Sequence, residues 1–315
     1  MTAATQHRLE GLEPDNLLAF LALLGLLRAL EAANLHPRAH WAGLPVRPTL
    51  SLTTPMTQQE IAEAAAKGCA ELAKDHDFGG EKDLTFDKAR ARELLEAAAR
   101  PGASRRAKVL DCLFSDAAVN DRGRILPAPL CAMFGQGHQH FLTRLAEVPQ
   151  GVLPNALAKR RPAPDLNAPD KLFAALFVPW ERIDETDSFR WDPAEDRRYA
   201  HRFRDPSVDA GRTVHGANRF AAVGLPVLPG AAVVRRRGVR FLTLGAEVAP
   251  DGSLGITWPI WDRPTSLAGA QALLGHPALV AEAADAMRHL GVLERRRAVR
   301  IANGKFMNFT RGEVV

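Results

Sequence analysis

With 315 residues, 46% hydrophobic and 24% charged, the chain has an ordinary globular composition and room for one large or two ordinary domains. The formal charge of +5 is too small to decide anything by itself, and Cys69, Cys112 and Cys131 are widely spaced, which argues against a disulfide framework or a zinc knuckle and fits a reducing cytoplasm. The most apolar stretch, Leu17 to Leu30, is short for a membrane span, contains Arg28 and lacks the flanks of a secretory signal, so no membrane association is expected.

In chain order, Asp15 and Asn16 are placed to cap a helix from Leu17 to about Ala33. Thr57, with Glu60 three residues on, has the pattern of a capping box and starts a second helix. Thr85 to Ala99 and Ser104 to Ala118 read as two more, parted by Arg100-Pro101-Gly102. The stretch from Pro149 to Pro169 is rich in Pro and basic residues and has no apolar period, which marks a linker or loop. A short helix is expected near Lys171 to Phe177. Val223 to Arg237 and Val239 to Val248 read as strands, and Asp251-Gly252 as a turn before a strand from Leu254 to Trp261. A helix from Pro277 to Leu290 follows, and Val292 to Ile301 and Lys305 to Thr310 return as strands around Asn303-Gly304. The fold class is therefore α+β: a helical domain over 1–150, a linker over 151–169, and a mixed domain over 170–315 with an antiparallel meander and a basic hairpin.

The side chemistry is dominated by guanidinium, since 33 of the 41 basic residues are Arg. They cluster at Arg105-Arg106, Arg160-Arg161, Arg197-Arg198, Arg235-Arg236-Arg237 and Arg295-Arg296-Arg297, each offering the forked donors that grip phosphate oxygens. A polyanion is the partner to consider first, against the plainer reading of a solvated basic face in an Ala-rich, Lys-poor chain. Arg235, Arg236, Arg237 and Arg240 lie on a ribbon of β-branched residues, a shape that can enter a groove or lie along phosphates. Arg197 and Arg198 join Trp191 and Tyr199 in a segment with three readings: a salt-bridged loop, a base-stacking platform beside phosphate-gripping Arg, or a pair of catalytic acids. Asn218 and Arg219 carry the donors and acceptors that read adenine and guanine edges.

Catalytic signals are sparse. The only Gly-Lys pair, Gly304-Lys305, lacks the rest of a phosphate-binding loop, and the serine-hydrolase and zinc-protease motifs are missing. Asp75-His76-Asp77 contains the His-Asp pair of metal-dependent phosphohydrolases, with His36, His40 and Asp116 as possible further ligands, or else it is a turn leading into Phe78-Gly79-Gly80. His138 and His140 are two apart and share an ion only in an extended or capping geometry; otherwise Gly135 to Phe141 starts a helix. No catalytic residue, metal or cofactor is assigned.

Several segments carry a resemblance. Leu9-Glu-Gly-Leu-Glu-Pro-Asp-Asn and its apolar continuation to Arg28, with Phe134 to Phe141, Asp187 to Pro193, His215 to Arg219, Thr257 to Trp261 and Asn303 to Thr310, resemble CRISPR-associated subunits of the type I-G systems, formerly I-U. The resemblance implies a component of a Cascade-type surveillance complex, either a Cas8-like large subunit or one associated with the nuclease-helicase. In such a complex the guide RNA reads sequence and the protein reads a short motif on the adjacent duplex, contacts the backbone and helps open the strands. The implied partners are target double-stranded DNA, the guide RNA particle with its backbone subunits, and the Cas nuclease-helicase. On that reading Arg235, Arg236, Arg237, Arg240, Arg197 and Arg198 contact phosphate, Asn218 and Arg219 read bases, and Trp191 stacks or wedges. Two alternatives stand beside it: an adaptor that recruits the nuclease-helicase without touching DNA, and a metal-dependent nuclease centred on His76 and Asp77.

Overall fold

The structure, a computed structural model, describes residues 5–132, 140–151, 169–186, 188–195, 212–235, 238–281, 283, 285–303 and 306–315. Its axis is α1 (Leu17–Ala32), of whose 16 residues 13 are buried. A helix that is apolar all round is stable only when surrounded, and the rest of the chain surrounds this one. Asn16 caps it, its Oδ1 accepting from the amides of Leu18 at 3.0 Å and Ala19 at 3.4 Å.

The expected helices of the first half form, and a sheet joins them. β1 (Thr5–Arg8), β2 (Arg38–Ala42) and β3 (Arg47–Leu52) pair antiparallel in the order β1-β3-β2. These strands are short and broken by Pro48 and by polar residues, which left no clean alternation to read. α2 (Gln58–Ala73) carries the capping box of Thr57 and Glu60, and α3 (Lys88–Ala98) is capped by Asp87. α4 (Ser104–Asp111) stops well before Ala118. There the Ser115 hydroxyl accepts the Ala117 amide at 3.2 Å and bends the chain into a turn. α5 (Phe141–Glu147) and α6 (Pro169–Phe177) follow.

α7 (His215–Gly224) lies against α1, and all ten of its residues are buried. The expected strand from Val223 therefore begins only at β4 (Gly230–Arg235), which pairs with β5 (Gly238–Thr243) as a separate two-stranded ribbon. The expected strand from Val239 to Val248 is split at Gly245, where φ is 73°. Its second part, β6 (Ala246–Val248), belongs to the meander with β7 (Leu254–Trp261), β8 (Val292–Asn303), β9 (Phe306–Phe309) and β10 (Glu313–Val314). α8 (Leu267–Leu274) lies between β7 and β8.

The helix expected over Pro277 to Leu290 is replaced by two short 3₁₀ turns, Pro277–Val280 and Arg288–Leu290. This segment wraps around Arg295, a wholly buried guanidinium on β8. Its Nη1 donates to the carbonyls of Ala278, Leu279 and Ala281 at 3.0, 3.0 and 2.6 Å, and its Nη2 to Ala283 at 3.0 Å. Gathering these carbonyls around one cation points them toward a single centre and not along a helix axis, and Ala278 O and Ala283 O still accept backbone amides in short turns.

One continuous apolar core runs from Leu9 to Phe309 and includes α1, α7 and β7 from both halves of the chain. Two tryptophans of β7 tie it to the N-terminal region: Trp258 Nε1 donates to Pro14 O at 3.0 Å and Trp261 Nε1 to Ala39 O at 2.7 Å. Where α1 crosses α7 the backbones touch. A Cβ on Gly25 would lie 1.8 Å from Phe220 O, and one on Gly224 would lie 2.6 Å from Leu21 O. Gly25→Ala should therefore cost roughly 3 kcal/mol or abolish folding, because the atom it meets is backbone and cannot swing aside. Denaturant unfolding checks this; wild-type stability in the variant would show that the helices separate at little cost.

Candidate nucleic-acid interface

The residues singled out for nucleic-acid contact fall into three sets, one of them outside the described residues. Asn218, Arg219 and Trp191 form the first, and all are buried. Trp191 stacks on Phe189 with ring centres 4.5 Å apart, and its Nε1 donates to Leu130 O at 2.7 Å. Asn218 Oδ1 accepts the Phe189 amide at 3.3 Å, while its Nδ2 donates to Thr213 Oγ1 at 2.9 Å and Val214 O at 3.1 Å. Arg219 Nη2 reaches Pro149 O at 3.3 Å. These side chains serve the interior, which corrects their assignment as base readers and stacking platform: the donor pattern was right, but a base cannot reach it.

What they build is a polar scaffold around the ends of α1 and α7. Asp192 accepts from Asn16 Nδ2 at 3.0 Å and takes the Arg182 guanidinium through both oxygens, at 2.7 and 3.2 Å. Asp184 pairs with Lys171 and accepts the His215 amide at the start of α7 at 2.9 Å, where a carboxylate meets the positive end of the helix. Glu195 is buried and receives the hydroxyls of Ser188 and, at 2.5 Å, of Thr213. Burial and the neighbouring Asp192 push its carboxyl up to about 7.

Arg197, Arg198, Arg236 and Arg237 make the second group and lie outside the described residues, as do Asp187, Tyr199 and His138. The third group is the ribbon. Gly230 opens it because a Cβ there would meet the Phe241 ring at 2.2 Å, and Val233, Val234 and Val239 suit its extended backbone. Val233 pairs with Arg240 and Arg235 with Gly238, so Arg235 and Arg240 share one face. The other face carries Ala232 and Phe241, seated on Ala118 and Ala128 in a small apolar cluster of their own.

The arginine face borders a groove of about 700 Å3. Its opposite wall is the turn between β6 and β7, its third side is Leu126, Pro127 and Pro129, and Arg300 of β8 reaches it as well. Among the described residues no carboxylate lines it. Asp251, at the tip of the turn, accepts the Ser253 amide at 2.8 Å instead. Arg300 donates to Pro129 O at 3.3 Å, and burial lowers its pKa. Among the described residues Arg235, Arg240 and Arg300 form no ion pair, whereas Arg47, Arg90, Arg105, Arg296, Arg297 and Arg311 all hold carboxylates. Sequence reasoning found Arg235 and Arg240 through their clustering but missed Arg300, which no neighbour in the chain marks out.

The His-Asp pair does not assemble a site. His76 is buried, its Nδ1 donates to Leu145 O at 2.8 Å, and burial pushes its pKa down to about 4. Asp77 caps the Gly79 amide at 2.9 Å, and Asp116 pairs with Arg92 at 3.0 Å. His140 Nδ1 is 2.8 Å from Asp83 Oδ2, and the other Asp83 oxygen accepts the Phe141 amide at 2.8 Å, the helix-start reading of that segment. Among the described residues no group of three His, Cys, Asp or Glu can hold a metal ion, and no helix is long and apolar enough to cross a membrane. Compared with known proteins, the chain matches no family model and no curated sequence.

Glu195 generates a prediction about pH. Its folded pKa lies above its unfolded value, so the stability it contributes is complete below about 4.5 and is lost as pH rises through about 7. Glu195→Gln, which mimics the protonated acid, should flatten the fall in stability between about pH 4.5 and 7 that the wild type shows, a fall on the order of 2 to 3 kcal/mol that denaturant unfolding across this range measures. An unchanged pH profile would show that the carboxyl is ionised in its buried site.

Proposed function

We propose that this chain is a non-catalytic nucleic-acid-binding subunit of a cytoplasmic type I CRISPR surveillance complex of the I-G kind. In this role it contacts the motif-adjacent target duplex, helps open it and recruits the nuclease-helicase. The observation that carries the reading is the exposed face of the two-stranded ribbon, which Arg235 and Arg240 share and where neither forms an ion pair among the described residues. A cation left without a protein counter-ion where others are paired is suited to an external anion, and the planar fork of Arg fits phosphate. The resemblance of the Leu9–Arg28 and Asn303–Thr310 segments to type I-G subunits supplies the biological setting, with guide RNA and backbone subunits as further partners.

Phosphate contacts on the ribbon position the protein along a duplex without reading its sequence. The double variant Arg235→Ala, Arg240→Ala should therefore weaken binding to unrelated duplexes alike, by about tenfold, and reduce the slope of log affinity against log salt by about 1 to 2. Anisotropy titrations over a range of salt measure both. Co-expression of the tagged chain with its guide RNA and companion subunits, and the mass of the particle with and without target duplex, test the wider role. A chain that leaves the particle but retains the nuclease-helicase, with duplex affinity unmoved by the double variant, would replace this reading with that of an adaptor.

A further inference from the structure

We infer that the groove between the ribbon and the β6–β7 turn is a site for an unpaired polynucleotide strand, distinct from the contact the ribbon makes with a duplex; this rests on the nucleic-acid reading above and narrows it. Three features point to a single strand. The first is size: at about 700 Å3 the groove is on the scale of a small-ligand cleft, which suits a short run of nucleotides and not the girth of a double helix. The second is chemistry. The lining mixes three guanidiniums with Leu126, Pro127, Pro129 and Leu242, so a ligand that fills it must present apolar faces and anionic groups together. An unpaired strand does so, because its bases are free to turn their faces out of the stack, whereas a duplex keeps those faces stacked and shows only base edges in its grooves. The third is depth. Arg235 and Arg240 are exposed at the rim, while Arg300 is partly buried and held from behind by Pro129 O, within reach of a phosphate that enters the groove.

The lining is short of accessible aromatics, since Phe241 is almost wholly buried. Base faces would rest on proline and leucine and on the guanidinium planes, contacts that discriminate little between bases, so sequence preference should be weak. DNA and RNA share the phosphodiester chemistry on which the site depends, and the 2′-hydroxyl is the one group that separates them.

The test is Pro127→Glu in the full chain. Pro127 is partly exposed, lines this groove and not the neighbouring cleft, and has neither an amide proton nor a side-chain hydrogen bond to lose, so the change sets a carboxylate at the groove. Affinity is measured by anisotropy for a short oligothymidylate, a short oligouridylate and a duplex of mixed sequence, with Tm as the check on folding and Leu126→Glu as the second variant. The expected result is a loss of about tenfold or more on the single strands, with duplex affinity kept within about twofold; comparison of the two oligonucleotides tells whether DNA or RNA is preferred. Unchanged single-strand affinity in both variants, an equal loss on duplex, or a wild type that binds duplex alone would each overturn the groove assignment while leaving the duplex contact in place. A wild type that binds neither would overturn the nucleic-acid reading itself.

Discussion

The rest of the molecule depends on the crossing of α1 and α7, where Gly25 and Gly224 let two backbones meet with no side chain between them. The same device recurs around it: a Cβ on Gly68 of α2 would lie 1.9 Å from Ala29 O of α1, and one on Gly216 would lie 2.2 Å from Lys171 O of α6. Helices this close exclude water from most of α1 and bury every residue of α7, including its polar ones. Arg28 completes the contact by donating from α1 to Val223 O at 2.7 Å, a bond that partly offsets the burial that lowers its pKa.

Burying polar residues commits the structure to satisfying them. Asn218 can lie in the core because Phe189, Thr213 and Val214 supply its partners, and Thr213 is held in turn by the Glu195 carboxyl and the Asp184 backbone. The segment from Asp184 to Glu195 is thus the polar lining of a helix pair, with Trp191 and Phe189 as its apolar side. A buried network of this kind favours one packing, which is a sufficient reason for acids, arginines and aromatics to be concentrated here.

Arginine serves two opposed purposes in this chain. Arg295 and Arg182 organise loops by collecting carbonyls or a carboxylate, and Arg297 pairs with Glu247 at 2.8 Å beside the same sheet. Arg235, Arg240 and Arg300 line a groove that has no acid among its described residues. Clusters in the sequence do not separate these uses: within Arg295-Arg296-Arg297 the first is entombed and the other two are ion-paired, while Arg300 joins the groove from outside any cluster.

Much of the fold was legible before the structure. Composition and period alone determined the α+β class, the apolar helix beginning at Leu17, the caps at Asn16 and Thr57, the strand from Leu254 to Trp261 and the return of β8 and β9, because each depends on the chemistry of neighbours in the chain. The sheet of β1 to β3 and the loss of the helix after Pro277 were not legible, since the first depends on pairing between distant strands and the second accompanies the wrapping of that segment around a guanidinium from β8. The candidate site divides in the same way. Residue type told which side chains can meet phosphate or a base, and so drew attention to Arg235 and Arg240 and equally to Asn218, Arg219 and Trp191. Only tertiary structure decided which of them meet solvent, because exposure is set by what packs against a residue from far along the chain, and at α7 that neighbour is the backbone of α1.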